Sequence, residues 1–220
     1  MTQGGAQPDL SNNPGLEHPR QPDLPPTGHQ PATNRYRRLS RSGYPLRVSQ
    51  ARVYRYVGPA ELRGAESGAA AVTVTTRDLL ADWLGRRNPD EWAEPFTFVV
   101  TLGGSLRLAP RRSEHVALAA SDMVLGAGEM TFVRAGADWR VAEVTNQSTG
   151  FCPDPDSWPV VAAALDNIGV SHPGDFTDKV TFRLCPNCGE RNIVRDDDFT
   201  CALCDRTLPA YWNFVPGDRR

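Results

Sequence analysis

Four of the five cysteines in this chain stand near its end as two Cys-x-x-Cys pairs, Cys185/Cys188 and Cys201/Cys204, with twelve residues between them. Within one tight turn, this spacing lets both sulfurs of a pair reach a single ion. A second pair, returned by a short hairpin, completes a tetrahedron of thiolates. Four thiolates leave no open coordination position, which is the arrangement of a structural zinc rather than a reactive one. The expectation is one structural Zn2+ held by Cys185, Cys188, Cys201 and Cys204. An iron site would need an electron-transfer partner that nothing in the sequence suggests. A dithiol redox centre needs one exposed pair of low pKa, not two matched pairs.

The first pair lies in "CPNCGE", where Pro186 fixes the turn and Gly189 follows the second thiol at a position that often requires positive φ. On these residues the segment resembles the zinc-ribbon family. The second pair, "CALCDR", departs from the family pattern because Asp205 stands where glycine is usual; aspartate tolerates the left-handed region better than most residues. The resemblance implies a small C-terminal zinc ribbon. It covers only the segment around the cysteines and brings no reaction with it, since such modules accompany many unrelated activities. From Cys185 to Arg206 there are five acids (Glu190, Asp196, Asp197, Asp198, Asp205) against three arginines. That balance disfavours phosphate, so the ribbon reads as structural or protein-facing.

Two further stretches carry groups capable of chemistry. In "APRRSEHVALA", His115 can serve as an acid or base near neutral pH, with Glu114 or Glu129 to orient it and Arg111 and Arg112 to hold an anion. In "EVTNQSTGFCPDPDSW", Asn146, Gln147 and Ser148 offer hydrogen-bond groups ahead of a helix start, and Cys152 is a nucleophile candidate if His115 or His172 approaches it. The alternative to a non-catalytic protein is therefore an enzyme acting on an anionic small molecule such as a nucleotide, with these two stretches facing one cleft. No Walker loop, Gly-x-Gly-x-x-Gly, Gly-x-Ser-x-Gly, His-Glu-x-x-His or His-x-Glu motif is present.

The elements that must position these groups are legible in outline. Residues 1–34, with seven prolines among Gln, Asn and Gly, read as a disordered tail. Residues 35–49 read as a basic linker. From Arg35 to Arg55 there are seven arginines and no acid, with Tyr36, Tyr44 and Tyr54 interleaved and Tyr56 just beyond, so any nucleic-acid role would have to run through this segment. Residues 50–179 read as an α+β domain: a β-rich, meander-type sheet with one or two packed helices. "RVYRYV" and "AAVTVTT" alternate like strands, and Thr76 caps a helix over "TRDLLADWLG". Phe96, Phe98, Val100 and Leu102 alternate up to a Gly103-Gly104 turn, and Leu106 and Leu108 answer on the return strand. "EHVALAA", "DMVLGAG", "EMTFVRA" and "WRVAEVT" read as further strands. "PDSWPVVAAALDNIG" reads as a helix capped by Ser157 and ended by Gly169, with Val160, Val161, Ala164, Leu165 and Ile168 as its buried stripe. Residues 180–215 hold the ribbon and an aromatic tail, "LPAYWNF", expected to dock it.

The hydrophobic fraction of 40% and the net charge of −2 give no general attraction to nucleic acid or anionic membrane. No apolar run is long enough to span a bilayer, and "MTQGGAQPDL" has neither the basic start nor the apolar stretch of a secretory signal. The expectation is a cytoplasmic protein with no membrane partner, whose thiols stay reduced and whose partner is another protein.

Overall fold

The computed structural model describes residues 51–64, 68 and 70–214. The expected tail (1–34) and basic linker (35–49) lie outside the described residues, as does all of the Arg35–Arg55 segment before residue 51.

The element with the strongest constraint is strand β3 (Phe96–Val100), every residue of which is buried. Its residues alternate between two apolar cores. Phe96, Phe98 and Val100 face one core with Leu106, Leu108, Met130, Phe132 and Val141. Val99 faces the other with Ala109, Ala127, Val116 and Leu118. A strand covered on both faces must be apolar at nearly every position, and "FTFVV" is.

Around β3 the sheet is antiparallel, in the order β2 (Val72–Val74), β4 (Leu106–Ala109), β3, β6 (Gly126–Ala135), β7 (Asp138–Val144). The hairpins β3–β4 and β6–β7 join chain neighbours, as in a meander. They are zipped together by β3 pairing with β6, while β2 adds to the outer side of β4. The β3–β4 turn uses Gly104 at φ 78°, and Leu102, expected inside, is exposed in that turn. Gly136, at φ 67°, turns β6 into β7.

Helices α1 (Arg77–Gly85) and α4 (Trp158–Asn167) bury Leu80, Trp83, Leu84, Val161, Ala164 and Leu165 in the first core. Thr76 caps α1 by accepting the Leu79 N–H, as its side chain predicts. Helix α4 begins differently from expectation. Ser157 makes no side-chain cap; a single 3-10 turn over Pro155–Ser157 precedes the helix, and the Asp154 carboxylate caps that turn by accepting the Asp156 N–H. At its other end Gly169 is left-handed (φ 73°). Its N–H reaches the Asp166 carbonyl and the Val170 N–H reaches that of Leu165, a Schellman closure. A short helix α2 (Pro89–Trp92) starts in a capping box between Asn88 and Glu91, a signature present in "NPDE".

"EHVALAA" is not a strand. It forms helix α3 (His115–Ala119), in which Ala117 and Ala119 are buried along with Val116 and Leu118. The alternation of Val and Leu suggested period two. Interleaved with them, however, are the alanines Ala117 and Ala119, the best helix formers, and Ala119 joins the second core. The next residues, β5 (Met123–Val124), pair with β1 (Tyr54–Arg55) as a two-stranded ribbon whose Tyr54 and Val124 share that core. Strands β8 (Thr181–Leu184) and β9 (Arg191–Val194) make the last sheet. Among the described residues there are thus four helices and three antiparallel sheets, an α+β fold.

Candidate metal centre

The hairpin β8–β9 delivers the first cysteine pair and the loop after β9 delivers the second. Each pair is wound into the same kind of turn. The Cys185 carbonyl accepts the Gly189 N–H and the Cys185 N–H donates to Glu190; equivalently, the Cys201 carbonyl accepts the Asp205 N–H and the Cys201 N–H donates to Arg206. Both turns need a left-handed residue after the second thiol. Gly189 supplies it at φ 76° and Asp205 at φ 56°. Aspartate therefore does fill the glycine role in the second turn.

The two turns face each other so that all four sulfurs lie within 4.8 Å of one another. Cys185 and Cys204 are 3.6 Å apart, as are Cys188 and Cys201. A disulfide would require about 2.0 Å. Four sulfurs each about 2.3 Å from a central ion stand about 3.8 Å apart, so the cluster has the spacing of a tetrahedral metal site. Cys185 and Cys201 are buried, Cys204 is partly covered and Cys188 is exposed. The buried pair packs with Leu208, Val194 and Phe199 into a core that contains little else.

The protons divide unevenly among these thiols. Cys204 is held below the usual thiol range by the Arg206 backbone N–H and then by the Asn187 amide. Cys201 is lowered to about 6: burial raises it, but the Leu203 and Cys204 N–H groups and the neighbouring thiols outweigh that. Cys188 moves up to about 12; the Glu190 N–H lowers it, but burial and the three other thiols raise it more. Like charges this close cannot all ionise by themselves, and a cation among them removes the conflict.

Two asparagines that the cysteine pattern does not reveal touch the sulfurs. Asn187 directs its amide to Cys204 (3.5 Å) and Asn192, buried on β9, directs its amide to Cys201 (3.6 Å). Most of the aromatic tail packs inward. Trp212 stacks edge-on against Tyr54 at 5.3 Å and donates its indole N–H to the Cys152 carbonyl. Phe214 is buried with Cys152, Val180 and Phe182, and Leu208 with the cysteines. Tyr211 departs from this pattern and is 73% exposed. Buried Arg183 ties the tail to β8 by donating to the carbonyls of Pro209 and Ala210, and Asn213 pairs both backbone groups of Leu184 in the manner of a strand.

None of the remaining candidates belongs to this cluster. Arg111 is exposed and bridges Glu94 at 3.3 Å, while Arg112 and Glu114 are exposed on the turn before α3. His115 bonds the Gly128 carbonyl at 3.0 Å and is lowered to about 4, chiefly by burial, so it is neutral at physiological pH. Asn146 is fully buried and its amide is spent on backbone: it donates to the Pro153 and Val180 carbonyls and accepts the Val180 N–H. Gln147 is exposed, and Ser148 is buried with its carbonyl on the Cys152 N–H. Cys152 is buried, its thiol pushed up to about 12 by desolvation and bonded to the Thr149 carbonyl. His172 bonds Asp166 instead of approaching Cys152. Among the described residues no helix is long and apolar enough to cross a membrane.

Comparison with family models, curated proteins and solved structures finds no match to this chain.

Proposed function

We propose that this chain is a zinc-binding, non-catalytic protein of the cytoplasm that acts by binding another protein, with a zinc ribbon that folds its C-terminal end. The observation that carries this reading is the closed set of four sulfurs, two of them inside the ribbon's own core. Every coordination position of a tetrahedral ion is then occupied by protein, so the ion shapes the chain without activating water or substrate. Zinc suits four thiolates in that geometry, and a reducing compartment keeps the thiols available to it. In this reading residues 50–179 form the body and 180–215 the ribbon with its docking tail, following the Pro-rich segment 1–34 and the basic segment 35–49.

The groups proposed for chemistry on an anionic small molecule support that alternative poorly. Asn146 is committed to backbone, Cys152 keeps its proton, and Arg111 is paired. The acidic balance of the ribbon weighs against phosphate and in favour of a protein partner. The test is purification of the chain with elemental analysis, followed by a screen for bound metabolites and hydrolytic activity. One zinc per chain and no activity is the expected result. A stoichiometric bound metabolite, or an activity lost in His115→Ala, contradicts the non-catalytic reading.

A further inference from the structure

Cys201 is the most enclosed of the four thiols, with no exposed surface. A thiolate there receives no water, so its charge must be met by the ion and by nearby N–H donors alone. One such donor is Asn192, whose own burial demands an explanation: it is 6% exposed. A buried amide is costly unless all its hydrogen-bond groups are used. Here they are. Nδ2 donates to the Glu190 carbonyl at 3.0 Å and to Cys201 Sγ at 3.6 Å, and Oδ1 accepts the Ala202 N–H at 2.9 Å.

These three contacts do not belong to one loop. Glu190 closes the first cysteine turn, whereas Ala202 and Cys201 belong to the second. Asn192 is thus a polar strut between the turns, anchored in β9 and ending on a sulfur. Asn187 adds a second amide, and it too serves the second turn, donating to Cys204. The turn that carries Asp205 in place of glycine therefore has both side-chain donors. Among the described residues no side-chain amide bonds Cys185 or Cys188.

We infer that Asn192 is a positioning residue of the metal centre: its amide sets the separation of the two cysteine turns and stabilises the Cys201 thiolate, with Asn187 doing the second of these for Cys204. This rests on the zinc reading above and specifies which residues outside the ligand set control how tightly the ion is held. Partners of this kind typically change metal affinity by about 10- to 100-fold when removed.

The test is cobalt and zinc titration of the full chain against a competing chelator, comparing the native protein with Asn192→Leu and Asn187→Ala. Cobalt serves as the spectroscopic probe because its thiolate charge-transfer bands report the sulfurs directly. The expected result is about 10- to 100-fold weaker binding in Asn192→Leu, about tenfold weaker in Asn187→Ala, and a shift of the charge-transfer band to lower energy in both. Losing an N–H donor raises the sulfur lone-pair energy without changing the ligand count, which moves the band; a merely structural role would leave it in place. Should Asn192→Leu fail to fold even with saturating metal, Asn187→Ala decides alone, its side chain being on the exposed side of the site. Native-like affinity and band position in the folded variants overturn the inference while leaving the metal centre intact. A native chain with no four-thiolate cobalt spectrum overturns the zinc reading and this inference together.

Discussion

Cys201 is enclosed and His115 partly so, and they carry opposite expectations. With an ion bound as proposed, removing the Cys201 sulfur would leave three ligands around it and open the small core packed on the cysteines, so Cys201→Ser is expected to lose the metal and unfold this segment. Structural zinc contributes roughly 10 kcal/mol or more of local folding free energy. Near-native metal retention by Cys201→Ser, read by elemental analysis, would count against the four-sulfur assignment. His115 contributes through its lost charge. Its folded pKa lies at about 4, below the ordinary value of 6.5, because burial opposes protonation. Above 6.5 both folded and unfolded forms are neutral. As pH falls from 6.5 towards 4 the unfolded chain binds the proton first, so stability falls by up to about 1.4 kcal/mol per pH unit. Urea unfolding at pH 7 and pH 5 should show a drop about 2 kcal/mol smaller in His115→Gln than in the native chain; equal drops in the two would refute the assignment. The cysteine spacing makes the four-sulfur cluster legible at this scale. Asn187 and Asn192 are not, because an asparagine in a strand or loop has no periodic signature of what its amide will touch.

At the scale of elements, legibility followed packing. Strand β3 and helices α1 and α4 could be read from their apolar positions, because one or both faces of each are buried and the residues record it. Helix α3 was misread since a five-residue segment buried on most sides shows no clear period. Helix α4 starts directly after Ser157, where the sequence places it, but the serine side chain makes no cap; aspartate three residues earlier caps the 3-10 turn that leads in. Gly128 marks the tightest element contact. A Cβ there would collide with the backbone carbonyl of Thr145 and press on the Phe98 ring, where β6 passes the end of β7. Gly128→Ala is expected to destabilise the fold by about 1–3 kcal/mol, since backbone cannot rotate away as a side chain can. A thermal midpoint unchanged within error would contradict that packing. Trp212→Ala removes the indole bond to Cys152 and the contact with Tyr54. It should make the tail protease-sensitive while the four cysteines keep their metal; resistance equal to native would show that the tail is held by other contacts.

For the whole molecule, the proposed reading is of a two-faced sheet joined to an acidic segment whose four cysteines could hold an ion. How the strands are ordered was not legible, because alternation marks which face a strand buries and not which strand lies beside it; β2 on β4 and β3 on β6 are set by tertiary packing alone. The tail was legible as aromatic and therefore buried, yet Tyr211 shows that composition does not tell which ring turns inward. Native mass spectrometry of the purified full chain tests the central claim most directly. The expected result is a single species heavier than the bare chain by one zinc ion less the protons its thiols release, reverting to the bare mass on chelation with loss of ordered structure around the cysteines. A purified, folded chain that flies at its bare mass and is unaffected by chelator would contradict it.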